Sequence, residues 1–413
     1  MRIVLWHGYL LGGTGSNVYT RALAREWSRA GHDVTVVCQE RHPERYDLGG
    51  ATVVVPILPD RLLPVFVLDD YEGLEARLLQ DFTHAQRDAY VAANAAAIRA
   101  LPPADLVFAN HVLLGGAVAQ AAGARYAVKA HGSELEYSMR GRPELEEWGA
   151  DVLSGADAIY VGSAHIRRVL EDVVGHVDRV YEVPPGVDVE EFVPEERAAA
   201  LAALIEEARR DPDDGDERHP DPGNARRFAR FFAEDAPTVV YFGKLIENKG
   251  VQVLFEALRG LDVRAVIVGF GDYREQLEAL APVGTLFTGA LEHRHLVHLL
   301  ALADAAVVPS IFPEAFGMVA AEAASAGVPP LVADHSGLAE VAAGIAAEYP
   351  SRYAHLAAFP TGDADVLRAR LRELLDLSPD ERRQLGLAAR RAVERNWGWP
   401  HVAERLLEPL RGI

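Results

Sequence analysis

The chain has 413 residues, 49% hydrophobic and 25% charged, with 41 basic against 61 acidic residues and a formal charge of −20. At roughly 100–200 residues per domain that leaves room for two or three domains with real cores, and it excludes nucleic acid or an anionic membrane as partner unless a local basic patch exists, which no stretch supplies. The single cysteine, Cys38, excludes a disulfide framework and a multi-cysteine metal site, and fits a reducing, cytoplasmic address.

The start, Met1-Arg2 before Ile3-Val4-Leu5-Trp6, is apolar enough to imitate a short signal peptide cut after Ala22-Leu23-Ala24. The polar stretch 12–17 and Arg21 make it a first strand and loop instead. No run of about 18 apolar residues is present, so no transmembrane helix is expected. Residues 2–6, 33–38, 51–57, 105–109, 126–129, 158–161 and 180–183 read as strands, nearly all apolar and therefore buried on both faces. Between the first two, Tyr19, Leu23 and Trp27 fall at i, i+4, i+8, and Gly31 stops the helix. Repeating this βαβ unit gives a parallel, doubly wound sheet.

The pattern is interrupted around residues 205–235, where Pro, Gly and acidic residues predict a solvated insertion. It then restarts with strands at 238–242, 263–268, 285–287, 305–308 and 330–333, and a helix whose stripe is Val253, Leu254, Ala257, Leu258 and Leu261. Two α/β halves of similar size suggest two Rossmann-like domains facing a cleft. Near the end, Trp397-Gly398-Trp399-Pro400 breaks a helical region, and Val402, Leu406 and Leu410 restart one. That last helix either caps its own domain or packs on the other; periodicity does not choose.

Three loops could carry chemistry. Gly12-Gly13-Thr14-Gly15-Ser16-Asn17 follows the first strand and opens a helix, where backbone amides can approach a phosphate. The spacing matches neither G-x-G-x-x-G nor a P-loop, so a plain tight turn competes. Phe242-Gly243-Lys244-Leu245-Ile246-Glu247-Asn248-Lys249-Gly250 puts two lysines at the C-terminal edge of a parallel strand, where α/β proteins bind ligands; two solvated surface lysines is the alternative. Pro309-Ser310-Ile311-Phe312-Pro313-Glu314-Ala315-Phe316-Gly317-Met318-Val319 runs from a buried strand into a helix whose first amides, 316–319, would face an anion. Glu314 and Glu322, eight residues apart, could accept hydrogen bonds from sugar hydroxyls, although acidic residues near a helix start also occur for structural reasons.

In this order the motifs resemble the retaining glycosyltransferases of family 4, over nearly the whole chain. The most specific element is Glu314…Glu322 within Pro-Glu-Ala-Phe-Gly-Met-Val-Ala-Ala-Glu-Ala. It is supported by Gly12-Gly13-x-Gly15, Ala130-His131-Gly132, Pro185-Gly186-Val187-Asp188, Lys244…Lys249-Gly250, Gly269-Phe270-Gly271 and Ala326-Gly327-Val328-Pro329. The resemblance implies an α/β GT-B fold, two Rossmann-like doubly wound parallel-sheet domains facing a central cleft. Residues 1–186, joined by the C-terminal helix 399–413, would bind the acceptor, and 187–398 the nucleotide-sugar donor. It implies transfer of a hexose from a UDP-, GDP- or ADP-hexose to a hydroxyl acceptor, with no required cofactor and no metal. Lys244 and Lys249 would hold the diphosphate, assisted by the amides of Phe316, Gly317, Met318 and Val319 and by Gly13, Gly15, Gly243 and Gly269. Glu322 would bind the ribose, Glu314 the donor sugar, and His131 would donate to the reacting sugar or orient it. His131, Glu314, Lys244 and Lys249 are thus the implied catalytic residues. Lys244 stands where the family often has arginine, keeping the charge and losing the bidentate fork.

A nucleotide-sugar epimerase of the same fold, or a non-catalytic sugar-nucleotide-binding regulator, remains the competing reading. The pairs Asp211/Asp213, Asp214/Asp216 and Asp363/Asp365 read as solvated loops rather than metal ligands. His293, His295 and His298 read as a partly exposed helix face, and Tyr71, Phe82 and Tyr90 as either acceptor lining or core. A peripheral membrane contact and the oligomeric state are left open.

Overall fold

The computed structural model describes all residues except 13–14, 69–70, 72, 213–217 and 412–413. The chain divides into two compact units, Met1–Gly186 with Trp399–Ile413, and Val187–Gly398. The strands of the first are β1 (Arg2–Trp6), β2 (Asp33–Val37), β3 (Thr52–Val54), β4 (Leu62–Val65), β5 (Glu75–Leu78), β6 (Leu106–Asn110), β7 (Tyr126–Lys129), β8 (Ala158–Val161) and β9 (Val180–Glu182). Seven of them form a parallel sheet in the order β3-β2-β1-β6-β7-β8-β9, while β4 and β5 make a separate parallel pair. The wholly buried β6, β7 and β8 explain the unbroken apolar runs: covered on both faces, they have no solvent side to carry polar residues. Helix Gly15–Arg29 lays Tyr19, Leu23 and Trp27 on one face of the sheet.

The strand expected over 51–57 stops at Val54, ahead of Pro56, and Ile57 is almost fully exposed. The β4–β5 pair is absent from the sequence reading, because β4 contains Pro64, which normally argues against a strand.

The C-terminal tail belongs to the first unit. Trp399 packs edge-on against Tyr19, the Trp27 indole N–H donates to Ala403 O at 2.9 Å, and Arg125 donates to Leu410 O at 2.9 Å. Gly186 is required here, since a Cβ on it would stand 2.4 Å from the Trp399 ring.

The second unit contains β10 (Thr238–Phe242), β11 (Arg264–Val268), β12 (Thr285–Phe287), β13 (Ala305–Val308), β14 (Pro330–Ala333) and β15 (Ala358–Phe359), all parallel, in the order β12-β11-β10-β13-β14-β15. In both sheets the winding direction reverses beside the first strand, between β1 and β6 and between β10 and β13. The C-terminal ends of strands at such a reversal diverge and leave room for a ligand.

The segment expected as a solvated insertion is corrected in its described parts. It holds the end of helix Arg197–Ala208 and the helix Asn224–Phe231, with Phe228 completely buried. The acidic residues are consumed by arginines: Asp221 takes a bidentate bond from Arg274, and Asp211, almost buried, accepts from Arg294 at 2.6 Å and lies 2.9 Å from His295. Asp211 is therefore not a solvated loop residue, and Asp213, Asp214 and Asp216 lie outside the described residues. His295 likewise departs from the exposed-face expectation, being fully buried, while His293 and His298 stay partly exposed. A local count of charges could not see the arginines across the fold that neutralise them.

Candidate active site

In the second unit, glycines let three loops close on one another at the strand ends. Gly243 N–H donates to Val268 O, and Leu245 N–H to Phe270 O at 2.7 Å. A Cβ on Gly269 would lie 1.8 Å from Gly243 O, and one on Gly271 would lie 2.4 Å from Leu245 O. The loops after β10 and β11 thus meet backbone to backbone. On the other side, Gly250 has φ +71, and a Cβ there would lie 1.9 Å from Pro309 O. Ile311 N–H donates to Asn248 O at 3.0 Å, fastening the loop after β13 to the Lys249 turn.

This closure brings Lys249 to Glu314: the ammonium and carboxylate form a direct ion pair, both partly exposed. Glu314 is held by residues that the sequence reading did not single out. Its N–H donates to Ser336 Oγ at 2.8 Å, Ser336 Oγ lies 2.9 Å from His335 Nδ1, and His335 Nε2 lies 2.8 Å from Ser310 O. Ser310 O can only accept, so His335 carries a proton on Nε2, and the Ser336 oxygen it neighbours accepts from the Glu314 amide. Lys244 shares the loop after β10, is exposed, and its carbonyl accepts from Tyr241 OH at 2.8 Å.

Helix Met318–Ser325 begins after Gly317, at φ +122, and its first internal bonds run from Ala320 and Ala321 to Gly317 O. The amides of Met318 and Val319 precede those bonds and carry the positive end of the helix. Phe316 is buried edge-on against Trp397. Glu322, one turn in, is nearly buried, with His293 Nε2 3.8 Å from its carboxylate. Burial pushes its carboxyl above the usual range, against the pull of His293.

In the first unit, the ends of β1, β6 and β7 gather a histidine cluster of which the sequence reading found only His131. His131 Nε2 lies 3.0 Å from Asn110 Oδ1, and its ring packs against His111 at 4.7 Å and Tyr19 at 5.8 Å. Burial, reinforced by the basic neighbours Lys129 and His7, holds His131 well below the ordinary histidine range, so the imidazole is neutral. His7 is buried with Nε2 2.7 Å from Asn17 Oδ1, and burial pushes its pKa down to about 4. His111, buried in a left-handed backbone at φ +73, stacks between them. Behind it Glu134, fully buried, accepts from the Val112 and Leu113 amides at 2.8 and 2.7 Å; desolvation raises its carboxyl to about 8. Lys129 donates to Val183 O at 2.8 Å, and burial lowers it to about 7. His7, Asn110, His111, Lys129 and His131 each sit at or just beyond the end of an apolar strand, as in Trp6-His7 and Ala109-Asn110-His111, and that position was the available signal.

Of the expected site residues, the structure brings Gly243, Lys249, Gly269, Glu314 and the start of the 318–325 helix into one loop cluster, with Lys244 exposed beside it. Gly15 opens helix Gly15–Arg29 in the other unit, and Gly13 lies outside the described residues. Among the described residues, no group of three or more His, Cys, Asp or Glu is arranged to hold a metal ion.

Two doubly wound units, each with polar residues massed at its sheet's reversal point, define the GT-B class of glycosyltransferases. Residues 13–191 match the model described as Glycosyltransferase Family 4, and residues 224–392 the one described as Glycosyl transferases group 1. The chain belongs to this glycosyltransferase family. It is 30% identical over 318 residues to the GDP-mannose-dependent alpha-(1-6)-phosphatidylinositol monomannoside mannosyltransferase of Mycolicibacterium smegmatis, covering 72% of this chain and 73% of that one. It is 27% identical, with the same coverage, to the GDP-mannose-dependent monoacylated alpha-(1-6)-phosphatidylinositol monomannoside mannosyltransferase of Corynebacterium glutamicum. Among solved structures it resembles Anabaena HepE in complex with UDP-glucose, with a TM-score of 0.70 at 15% identity over 100% of both chains. Sucrose-phosphate synthase from Thermosynechococcus elongatus gives 0.67 at 19% identity, over 99% of this chain and 98% of that one.

Proposed function

We propose that this glycosyltransferase moves a hexosyl group, with retention of configuration, from a nucleotide-sugar donor to a hydroxyl acceptor. The observation that carries the reading is the Lys249–Glu314 pair at the β10/β13 reversal, beside Lys244 and the partly exposed start of the 318–325 helix. In a chain of charge −20, two lysines and a helix N-terminus converging on one loop cluster suit a diphosphate. As the donor's anomeric bond breaks, negative charge grows on the leaving phosphate, and fixed positive groups stabilise it without reorganising. Glu314, relieved of part of its pairing by the incoming phosphate, then faces the sugar, while Glu322 binds the ribose and His131 the reacting sugar. Val187–Gly398 is the donor unit in this reading, and Met1–Gly186 with the tail is the acceptor unit. No covalent nucleophile is assigned.

GDP-mannose and UDP-glucose are the donors to try first, because the relatives above are described as GDP-mannose-dependent and HepE was solved with UDP-glucose. Inositol- and mannoside-bearing hydroxyl acceptors come first for the same reason. A cytoplasmic setting suits Cys38, a buried thiol pushed up to about 12. Among the described residues, no helix is long and apolar enough to cross a membrane. The test is a panel of UDP-, GDP- and ADP-hexoses, read by thermal shift and then by mass spectrometry with an acceptor library. Product anomeric configuration by NMR decides retention. A donor altered at one sugar carbon without any acceptor would establish the epimerase reading instead, and binding without turnover the regulator.

A further inference from the structure

The hydrogen-bond chain behind His131 has only one consistent direction. Thr20 Oγ1 lies 2.8 Å from Ser16 O, and two oxygens that close share a proton that a carbonyl does not possess; it is the Thr20 hydroxyl proton. With its one proton spent, the Thr20 oxygen can only accept. Asn110, completely buried, must therefore turn its amide nitrogen to Thr20, at 3.0 Å, and its carbonyl oxygen to His131. That oxygen stands 3.0 Å from His131 Nε2, which must carry the ring proton. The same grammar recurs at His7: the Asn17 amide nitrogen donates to Gly12 O, leaving its oxygen for His7 Nε2.

Resting on the reading that His131 meets the reacting sugar, we propose that Asn110 is a positioning residue that locks His131 in its Nε2–H form, so that the bare Nδ1 accepts a hydrogen bond from a sugar hydroxyl. His131 is then an acceptor and not a donor. A second proton on Nδ1 is opposed from each side of the ring: Lys129 at the end of β7, His7 after β1 and His111 after β6 are basic, and Tyr19, from the helix Gly15–Arg29, presents a ring edge. The Glu134 carboxyl is turned to the Val112 and Leu113 amides and stands 3.8 Å from His111. The ligand selected is a sugar whose hydroxyl donates at this point, which fluorine cannot replace.

The experiment is long-range 15N–1H correlation NMR on the full chain with labelled histidine, the His131 signals assigned by their loss in His131→Gln. Wild type should show a protonated Nε2 and a bare Nδ1. Thr20→Val, which lets the Asn110 amide rotate, should introduce the other tautomer, and Thr20→Ser should not. Asn110→Asp, a carboxylate against Nε2–H, should raise the acidic limb of the kcat/KM–pH profile by at least about one pH unit. Among donor sugars deoxygenated or fluorinated at each hydroxyl in turn, one position should lose about tenfold in kcat/KM with either replacement, one hydrogen bond's worth. A protonated Nδ1 in wild type, an unchanged tautomer in Thr20→Val, an unmoved pH profile in Asn110→Asp, or no position at which fluorine and hydrogen are equally damaging would overturn it. The tautomer is read without turnover, so a correct tautomer in a protein that transfers no sugar would refute the proposed function, and a wrong one in an active enzyme would refute this assignment alone.

Discussion

Gly250→Ala offers the sharpest test of the loop cluster. The new methyl group would stand 1.9 Å from Pro309 O, where contacts under 3.0 Å are essentially never found, so the Lys249 turn or the β13 loop must retreat by about 1 Å. The left-handed φ of +71 adds about 1–2 kcal/mol of backbone strain. Gly260→Ala separates the two effects, because Gly260 has φ +81 but nothing within 4 Å of the place its methyl group would take. It should lose the same amount of stability, about 1–2 kcal/mol, and keep its ligand affinity. Gly250→Ala should lose about 1–3 kcal/mol more. Because Lys249 and Glu314 sit on the two loops being forced apart, GDP or UDP affinity should fall by about 10- to 100-fold. Denaturant unfolding and calorimetric titration with GDP and UDP read the two quantities separately. If Gly250→Ala binds the nucleotide that wild type binds with unchanged affinity despite its loss of stability, the cluster is not where the diphosphate sits.

Lys249→Ala should lower nucleoside diphosphate affinity at least about tenfold while costing no more than about 1 kcal/mol of stability, since its pair with Glu314 is partly solvated; equal affinity by titration would remove Lys249 from the site. Trp399→Ala should cost about 3–5 kcal/mol in unfolding experiments, because it empties a buried position against Gly186 and Tyr19; a loss below about 1 kcal/mol would contradict that packing. Glu134, raised to about 8 when folded, holds a proton that the unfolded chain has released, so its contribution to stability is lost as pH rises from about 4.5 to 8. Glu134→Gln should flatten that fall. Lys129 works in the other direction: lowered to about 7, it adds stability as pH rises from about 7 towards 10.5, and Lys129→Met should abolish that rise. Parallel pH–stability curves for wild type and variant would refute either assignment.

The sequence by itself determined the motif order and most of the strands, with β4, β5 and β15 escaping it. A short apolar run rich in β-branched and aromatic residues, too brief for a helix, reads as a strand covered on both faces, and β1, β6 and β10 were legible for that reason. The glycine motifs were visible as well, but their purpose was not. Gly269 and Gly250 are glycines because a backbone from another part of the chain passes within 2 Å of the position their Cβ would occupy. Lys249 and Glu314 both stand out in the sequence, yet that they pair depends on β10 and β13, whose C-terminal ends Phe242 and Val308 are far apart along the chain, lying side by side in the sheet.

Only the tertiary structure decided which charges are spent on the fold. Asp211 and Asp221 looked like solvent-facing acids and instead hold Arg294 and Arg274. It also decided the state of His131. A histidine's tautomer is set by whatever its other nitrogen meets, and His131 meets Asn110, then Thr20, then Ser16, a path that returns from β7 through β6 to the first helix. Local sequence fixes most elements because unbroken apolar runs and helical stripes show along the chain which residues are buried. The site is a matter of which strand ends become neighbours, and in a doubly wound sheet neighbours in space are distant in sequence.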